Sequence, residues 1–385
     1  MPRERQKRRI CFVTGTRAEF GLMRTVLEAI RDHPKLQLQL VVTGMHLHSA
    51  HGKSLDSIRA QGWKVDAVVP WKLTGHDPSL LAEQTGLAMA RLARVFQRLG
   101  SDIVLVTGDR VEVLAAASAA HVGQRIVAHV HGGDRAPGQI DDSLRHAITK
   151  LAHVHFPATA NSERRVIRLG EDRDRIHRVG SPGIEGIAEA AAPRALLLQT
   201  FPKLQPRRFA LIVFHPMAAS AKVEYARAQA VLSALKTAGI QQTVVVYPNN
   251  DPGSSGIIRC WRANRRDIAY LLPDVPRPIF LGLLRDAAML VGNSSSGIIE
   301  AASFSTPVIN IGPRQQGRDR SQNVLDVPYS PAEIASAAKR IWNTGRPRCL
   351  MVRNVYGGEG TGQRVASILA SLEIDNRFRR KLIAY

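Results

Sequence analysis

Short apolar runs alternate with helical patterns along most of the chain. Ile103–Val106 contains only apolar residues, and Ile126–Val130 contains one histidine among apolar residues. Runs of this length that lead into polar residues and glycines are typical of strands buried on both faces of a parallel sheet. Between them, Val111–Ala120 places apolar residues and alanines at helical spacing. The alternation predicts an α/β fold built on parallel sheets.

The same pattern continues on both sides of this stretch. It predicts further strands at Arg9–Thr14, Gln37–Thr43, His153–Phe156, Ile176–Val179, Phe209–Phe214, Val244–Tyr247, Ala288–Val291 and Thr306–Ile311. It predicts further helices at Gly21–Ile30, Ser79–Leu99, Ser162–Leu169 and Pro331–Trp342.

The length of 385 residues favours two domains, because one hydrophobic core rarely serves a chain of this size. The pattern changes near Gly183, where alanine-rich residues are followed by prolines and charges. We interpret 184–208 as the interdomain connection. The prediction is therefore two Rossmann-like domains facing a cleft, 1–183 and 184–362. A C-terminal helix within 363–385 could cross back to the first domain.

Composition narrows the class of protein. Hydrophobic residues make up 44% and charged residues 22% of the chain, and no apolar run approaches the roughly 18–20 residues that span a bilayer. The basic start precedes only a short apolar stretch, Ile10–Val13, which is too brief for a signal peptide. We expect a soluble cytoplasmic protein. Its three cysteines are far apart, which argues against a disulfide framework and favours buried apolar roles for Cys11, Cys260 and Cys349.

The formal net charge of +21 is the one unusual feature of the composition. Such a charge is compatible with nucleic acid, an anionic surface or a phosphorylated substrate. Basic residues are spread along the chain and aromatic residues are only 5%, so nucleic-acid binding is disfavoured. A phosphate-bearing ligand accounts for part of the excess. We expect no membrane partner, and a homo-oligomer, either a dimer or a tetramer.

Polar side chains follow two successive predicted strands of the first domain. Asp109 and Arg110 come after the first of them, and His131 and Asp134 come after the second. Ligands of open α/β sheets bind outside the carboxyl ends of the strands, so these side chains indicate a site. A third contribution comes from Asp141, Asp142, Arg145 and His146: the two aspartates can cap the next helix, and Arg145 lies one turn below Asp141 on the same face. Asp141 is a candidate catalytic residue, and Arg145 is a candidate substrate-binding residue.

Other segments carry groups that suit an anion. Gly15-Thr16-Arg17 forms a tight turn after the first predicted strand, which is either an anion site or an ordinary strand-to-helix turn. In the second domain, three serines between a buried strand and a helix start predict a phosphate cradle. Glu300 is expected in the first helical turn, where it either accepts hydrogen bonds from a ribose diol or only suits the helix dipole. The candidate binding residues there are His215, Asn249, Ser294, Ser295, Ser296, Glu300 and Arg314.

A histidine-rich segment invites a metal-site hypothesis. His46, His48 and His51 lie two and three residues apart in a polar loop, with no carboxylate nearby. This spacing does not match a usual metal site, so we favour solvated histidines.

Eight motifs occur in order between Arg9 and Val327: GTRAEFG, GDR, HVHGGD, IDDSLRHAITKLAHVHF, FHP, YPNND, GNSSSGIIEA and VINIGPRQQGR. Together they resemble the hydrolysing UDP-N-acetylglucosamine 2-epimerases of bacterial sialic acid and legionaminic acid biosynthesis. The resemblance implies a glycosyltransferase-B type fold with the sugar nucleotide in a cleft. It also implies release of N-acetylmannosamine and UDP, with no metal or redox cofactor.

The resemblance also implies roles for individual residues. Asp109 and Asp141 match catalytic carboxylates of the family. The residues that fall where relatives contact nucleotide or diphosphate are Arg17, Arg110, His215, Asn249, Ser294, Ser295, Glu300 and Arg314. His131 stands where the animal enzymes have a catalytic glutamate, and Asp134 replaces the usual glutamate three residues on.

The family's reaction begins with loss of UDP and removal of the C2 proton, which leaves a 2-acetamidoglucal. Water then adds at C1, and a proton returns to the other face of C2. This sequence needs two acid–base groups on opposite faces. We expect Asp109 and Asp141 in these roles, with His131 assisting and Asp134 as a further candidate. The alternatives are another nucleotide sugar as substrate, either a UDP-2,4-diacetamido sugar or GDP-N-acetylglucosamine, and a non-hydrolysing 2-epimerase.

Overall fold

The computed structural model describes residues 7–47, 54–72, 77–135, 140–249, 251–342, 352–357 and 359–384. These residues fold as two units, each with its own core. The first unit consists of the described residues up to Glu185 together with those from Tyr356 onward, and the second consists of those in Gly186–Val355. The domain boundaries predicted from the sequence lie after residue 183 and after residue 362.

Each unit is built on a six-stranded sheet whose paired strands are parallel. The first sheet has the order β3-β2-β1-β4-β5-β6, and the second has the order β12-β11-β10-β7-β8-β9. The strands of the first sheet are β1 Arg8–Thr14, β2 Leu36–Val42, β3 Ala67–Val68, β4 Ile103–Thr107, β5 Ile126–Val130 and β6 Val154–Phe156. Those of the second are β7 Ala210–Val213, β8 Thr243–Val246, β9 Tyr270–Leu272, β10 Met289–Gly292, β11 Val308–Ile311 and β12 Val324–Val327.

Helices connect the strands and flank both sheets. In the first unit they are α1 Arg17–Asp32, α2 Ser54–Ala60, α3 Pro78–Leu99, α4 Val111–Val122, α5 Asp141–Leu151 and α6 Ala160–Arg168. The second unit contains α7 Ile187–Ala190, α8 Arg194–Thr200, α9 Ala221–Thr237, α10 Ser254–Ala263, α11 Arg277–Asp286, α12 Ser295–Ile299 and α13 Pro331–Trp342. The chain then returns to the first unit with α14 Thr361–Ser371 and α15 Asn376–Arg379.

Alternate residues of the central strands point to opposite faces of the first sheet, and both faces are covered. Ile10 and Phe12 of β1 are buried in the same cluster as Val365 and Leu369 of α14. Cys11 belongs to the cluster on the other face, with side chains of α3 and α4. This two-sided burial explains why the strands have nearly continuous apolar sequences.

The C-terminal helix α14 packs closely on α1. Gly362 lies so near the backbone of Thr25 that a Cβ at this position would be 2.5 Å from the Thr25 carbonyl oxygen. A glycine is therefore required at this approach. The Thr361 hydroxyl also donates to the Val179 carbonyl at 2.9 Å. These contacts place α14 in the first unit.

Several predicted elements differ from the observed ones. The strand predicted at Ile176–Val179 is wrong, because this segment makes only one bridge, from Ile176 to His155. The expected connection at 184–208 instead contributes α7 and α8 to the second unit. Within the described ranges, no helix combines the length and apolar character that crossing a bilayer requires.

Candidate functional site

The polar residues predicted as a site follow adjacent strands of the first sheet. β1, β4 and β5 lie side by side and run parallel, so their carboxyl ends share one edge. Gly15, Asp109 and His131 follow these ends. The structure therefore brings three of the sequence motifs to the same edge of the sheet, where α/β proteins bind ligands.

Asp109 is linked to His131 through a buried arginine. The Arg145 guanidinium, whose side chain is 6% exposed, donates from Nη2 to the Asp109 carboxylate. Its Nη1 donates to the backbone carbonyl of His131 at 2.9 Å. Both bonds hold the Arg145 side chain inside the unit, where it connects the Asp109 carboxylate to the His131 backbone.

His131 has a constrained backbone and two engaged ring nitrogens. Its φ of 64° lies in the left-handed region, which is uncommon for a residue other than glycine. Its Nδ1 lies 2.8 Å from Asp134 Oδ2, and its Nε2 lies 3.1 Å from the hydroxyl of Ser181. Strained backbone of this kind persists only where its surroundings hold it, and it concentrates at functional sites.

The Asp134 carboxylate determines which ring nitrogen of His131 carries a hydrogen. Burial by itself would raise the pKa of Asp134, but His131, Arg145 and the hydroxyl of Ser162 lower that pKa below its usual range. An ionised carboxylate only accepts hydrogen bonds, so Nδ1 of His131 carries the hydrogen that it shares with Asp134. In the neutral ring, Nε2 then accepts from Ser181, and it is the nitrogen available to take up a proton.

Arg110 and Asp141 belong to a second charged cluster at this edge. Arg110 makes two bonds to the buried Glu112 carboxylate, of 3.2 and 3.1 Å. Burial lowers the pKa of Arg110, but Glu112, Glu19 and Asp141 together outweigh it and raise that pKa. Asp141 therefore acts electrostatically on Arg110.

Glu19 holds the turn that leads to Arg17. Its Oε2 accepts from the backbone N–H groups of Gly15 and Thr16 at 2.7 and 3.1 Å, while the Thr16 hydroxyl accepts from the Glu19 N–H. Arg17 is exposed as the first residue of α1. This capping box stabilises the start of α1 and fixes the position at which Arg17 leaves the turn.

The same Glu19 carboxyl is unusually easy to protonate. Burial and the neighbouring Glu112 carboxylate raise the pKa of Glu19 to about 7. Its Oε1 is buried and makes no hydrogen bond to the described part of the chain. The unfolded chain releases this proton near the usual glutamate pKa, whereas the folded chain keeps it until about neutral pH.

We expect Glu19→Gln to stabilise the protein more at pH 8 than at pH 5. The contribution of Glu19 to folding stability falls as pH rises from 4.5 to about 7, because its carboxyl binds the proton more tightly in the folded state than in the unfolded state. The difference should be about 2 kcal/mol in the free energy of unfolding, measured by denaturant titration. Glu28→Gln, on the same helix and paired with Arg24 at 3.0 Å, is the control and should show no such difference. Equal effects of Glu19→Gln at both pH values would contradict the prediction.

In the second unit, Asn293 ties the ends of two neighbouring strands together. Its side chain is fully buried after β10 and bonds to the backbone of His215, which follows β7. Asn293 Oδ1 accepts from the His215 N–H at 2.7 Å, and Nδ2 donates to the His215 carbonyl at 2.9 Å. The Asn293 carbonyl in turn accepts from Arg314 at 3.1 Å and from Gln315 at 2.9 Å.

His215 presents a neutral ring with a defined hydrogen. Burial and the nearby Arg314 lower the pKa of His215 to about 3, so the ring is uncharged at neutral pH. Its Nδ1 accepts from the backbone N–H of Asn249 at 3.0 Å, which leaves the hydrogen on Nε2. His215 Nε2–H and the Arg314 guanidinium are therefore two donors suited to a diphosphate.

The serine turn leads into a shorter helix than a phosphate cradle usually has. Ser294 caps α12, and its hydroxyl accepts from the Ser296 N–H at 3.3 Å and from the Ser296 hydroxyl at 2.9 Å. Helix α12 has only five residues, so it offers an anion a much smaller dipole than a longer helix would. Ser295 is half-buried beside them.

The position predicted for Glu300 is wrong. The residue ends α12 as its C-cap and is not in the first helical turn. Its Oε1 lies 2.7 Å from Arg277. The error arose because α12 begins at Ser295, inside the serine run, so that Glu300 follows the last helical residue, Ile299.

Two further predictions need correction. Asp141 and Asp142 lie in the first turn of α5, and the N-cap is Ile140, which has no capping side chain. His46 is not solvated: it is 1% exposed and bonds to the hydroxyls of Thr14 and Ser54. His48 and His51 lie outside the described residues. In the described part of the chain, no three histidine, cysteine or acidic side chains are placed to hold a metal ion.

Sequence reasoning missed four residues of these clusters: Ser181, Asn293, Glu19 and Glu112. Asn293 had a usable signal, since it lies between a strand-end glycine and a serine run. Glu19 had another, because Thr16 and Glu19 have the spacing of a capping box. Ser181 had none, because its bond to His131 joins residues 50 positions apart.

Comparison with known proteins shows which sequences this chain is similar to. A family profile described as UDP-N-acetylglucosamine 2-epimerase matches residues 28–370. A Legionella pneumophila protein named UDP-N,N'-diacetylbacillosamine 2-epimerase (hydrolyzing) is 35% identical, covering 98% of this chain and 100% of that protein. A Neisseria meningitidis UDP-N-acetylglucosamine 2-epimerase is 31% identical, covering 88% and 89% of the two chains.

The fold also matches solved structures. The crystal structure of a Neisseria meningitidis UDP-GlcNAc 2-epimerase bound to UDP-GlcNAc has a TM-score of 0.79 and 18% identity, with coverage of 94% of this chain and 100% of that one. The two parallel six-stranded sheets are thus those of the glycosyltransferase-B type fold. On the family match over most of its length and on these whole-chain relatives, the chain belongs to the UDP-N-acetylglucosamine 2-epimerase family.

Proposed function

We propose that this enzyme is a hydrolysing 2-epimerase of a UDP-linked 2-acetamido sugar. It consumes the nucleotide sugar and water, and releases UDP and the free sugar inverted at C2. The observation that carries the proposal is the linked set Asp109, Arg145, His131 and Asp134 at the carboxyl edge of the first sheet. It supplies a carboxylate and an imidazole in fixed positions, as a reaction with two proton transfers requires.

The first step is departure of UDP, which develops positive charge at C1 and acidifies the C2 proton. Negative charge grows on the diphosphate during this step and must be stabilised. In the second unit, His215 Nε2–H, Arg314 and the Ser294–Ser296 turn are the groups proposed to hold it. In the first unit, Arg17 and Arg110 are the cations proposed to bind a phosphate-bearing substrate. The neutral state of His215 suits this role, because the ring donates a hydrogen bond without first being protonated.

The second step removes the C2 proton and leaves a 2-acetamidoglucal. The third adds water at C1 and returns a proton to the opposite face of C2, so that the sum is one water consumed and one glycosidic bond broken. Asp109 and Asp141 are the proposed carboxylates of these steps. His131 is proposed to shuttle a proton with Asp134 as its counter-charge, since both ring nitrogens of His131 lie in a continuous hydrogen-bonded chain.

The hydrolytic outcome is proposed from the sequence after β5. His131-Gly132-Gly133-Asp134 replaces the glutamate-alanine-glycine turn associated with non-hydrolysing relatives. The name of the whole-length Legionella relative supports the same outcome. That name also favours a UDP-2,4-diacetamido sugar, UDP-N,N'-diacetylbacillosamine, as the substrate, with UDP-N-acetylglucosamine as the second candidate.

Proton NMR of the reaction in D2O tests the proposal with each of the two sugar nucleotides. We expect free 2-epimerised sugar and UDP in equal amounts, with one deuterium at C2. An epimer that keeps its bond to UDP would overturn the hydrolytic assignment, and no reaction with either substrate would overturn the proposed substrate class.

Two further measurements identify the substrate. The ratio of the kcat/KM values for the two sugar nucleotides decides between the sugars. Thermal shifts with UDP and GDP test the base, because a ligand that binds the folded state raises the melting temperature of the protein.

A further inference from the structure

A buried glutamate holds the loop that follows His215. Glu224 lies in the first turn of α9, and its side chain is fully buried. Its Oε1 accepts from the backbone N–H groups of Met217 and Ala218 at 3.0 and 2.8 Å. The same oxygen accepts from Arg227 Nη1 at 2.6 Å. The backbone shortly after His215 is therefore tied to the start of α9.

Arg227 connects this loop to the turn that leads to Arg314. Its guanidinium carbon lies 4.1 Å from the centre of the Tyr329 ring, which is a cation–π contact. The ring lies so close to Gly312 that a Cβ at this position would collide with it. Gly312 follows β11, has a φ of 73° and comes two residues before Arg314. Both the backbone conformation and the contact with the ring require glycine here, so Tyr329 bears directly on the turn that carries Arg314.

Tyr329 also contacts the strand end that leads to His215. Its ring meets the ring of Phe214 at 87°, with 6.3 Å between the ring centres. Phe214 is fully buried and comes immediately before His215. His215 therefore has on one side a residue that packs on Tyr329, and on the other side the two N–H groups that Glu224 binds.

Folding stability gives a weak reason for the buried charges of this cluster. A buried ion pair loses its hydration, and replacing it by apolar residues of similar size is often neutral or stabilising. The cost is increased here, because Glu224 Oε2 is buried and makes no hydrogen bond within the described part of the chain. Groups that are unfavourable for folding concentrate at functional sites. The contacts of Glu224 and Arg227 indicate such a function, since they connect the loops that carry His215 and Arg314.

We propose that Glu224, Arg227 and Tyr329 are positioning residues that set the separation of His215 and Arg314 for a nucleoside diphosphate. The three residues act through the two donors and do not themselves contact the ligand. Donors of a binding site must be held within about 0.5 Å of their productive positions, so loosening either loop weakens recognition of the diphosphate. This inference rests on the proposed function, because it requires a nucleoside diphosphate at the carboxyl edge of the second sheet.

The test compares the affinities of UDP and UMP by isothermal titration calorimetry at fixed pH and ionic strength. UMP keeps the base, the ribose and one phosphate, so the UDP-to-UMP affinity ratio reports on the second phosphate. The wild type should bind UDP about ten-fold more tightly, the scale of a hydrogen bond to a charged group. In Arg227→Leu and in Tyr329→Leu, the ratio should fall by about five-fold. A general loss of stability would weaken the binding of both nucleotides and leave their ratio unchanged.

Conservative variants and a matched control separate positioning from loss of structure. Tyr329→Phe keeps the ring next to Arg227, so its ratio should stay within about two-fold of the wild type. Arg227→Lys keeps the charge but lacks the planar guanidinium, so its ratio should lie between those of the wild type and Arg227→Leu. Arg259→Leu is the control, because it removes another arginine–tyrosine contact of the same unit, 5.3 Å from the Tyr225 ring centre. It should not change the ratio.

An unchanged UDP-to-UMP ratio in folded Arg227→Leu and Tyr329→Leu would overturn the inference, as would an equal fall in Arg259→Leu. If Arg227→Leu does not fold, Arg227→Lys decides, and a wild-type ratio in that variant contradicts the positioning role. A wild type that binds neither UDP nor UMP would overturn the inference together with the assignment of a UDP-linked substrate. The expected ratios in an enzyme that releases no free sugar would contradict the proposed function alone.

Discussion

Asp109→Asn is expected to reduce formation of the 2-epimerised sugar by about 10³-fold, the scale of a lost general acid–base group. Asparagine keeps the size of the side chain and an oxygen that accepts from Arg145, but it cannot exchange a proton with C2. The measurement is kcat for release of UDP under saturating substrate. Because the proposed diphosphate contacts of the second unit are untouched, the affinity for UDP should remain within about two-fold of the wild type.

The substitution should leave the protein folded. Removing the partner of a buried charge is usually costly, but Arg145 retains its bond to the His131 carbonyl and the electrostatic influence of Asp134. We therefore expect a lower melting temperature with an intact circular dichroism spectrum.

Asp142→Asn is the control for Asp109→Asn. Asp142 is a neighbouring acid at the start of α5, with a side chain 29% exposed and within 3.5 Å of His146. Its substitution should change kcat by less than about three-fold, as expected for a residue outside the chemistry. Turnover near the wild-type rate in folded Asp109→Asn would remove this aspartate from the mechanism.

The elements of the fold that the sequence predicted well are those with a strong local pattern. The predicted limits of β5 at Ile126–Val130 and of α13 at Pro331–Trp342 agree with the structure. In both, the residues that determine the structure lie within the element itself. The false strand at Ile176–Val179 shows the limit of this approach. An apolar run of four residues satisfies a strand pattern, but a strand also needs a neighbour along its length, and here only Ile176 has one.

The position of the candidate site was predictable from the sequence, but the hydrogen bonds between its residues were not. The rule that ligands bind at the carboxyl ends of parallel strands is enough to bring Asp109 and His131 to one edge. It does not show that Arg145 turns inward to Asp109, 36 residues away, or that Asn293 bonds to His215, 78 residues away. Such contacts depend on how side chains pack in three dimensions, and no local sequence pattern records them.

His46 illustrates the same limit for an individual side chain. In a polar, histidine-rich segment it has the sequence context of a solvated residue, yet it is buried and fully engaged with two hydroxyl groups. Burial lowers the pKa of His46 to about 4, so it is neutral at physiological pH. Its surroundings come from β1 and α2, which the loop sequence alone does not specify.

Asp134→Asn is expected to reduce kcat by about 10²-fold, because it removes the negative charge next to His131. The hydrogen bonds made by residue 134 can persist. The asparagine oxygen can accept from Nδ1–H of His131, and its amide can donate to the Ser162 hydroxyl, which in the wild type donates to Asp134 at 2.6 Å. The imidazolium that forms when His131 takes up a proton then has no adjacent negative charge.

The measurement is the pH dependence of kcat together with the affinity for UDP. If His131 handles a proton, Asp134→Asn should lower kcat and displace its pH profile, with little change in UDP affinity. Ser162→Ala is the control, because it removes one hydrogen bond to Asp134 but leaves the carboxylate and its contact with His131 in place, so its kcat should fall by less than about five-fold. An unchanged pH profile in folded Asp134→Asn would show that the ring serves only to hold the backbone carbonyl that binds Arg145, and the two proton transfers would then fall to Asp109 and Asp141.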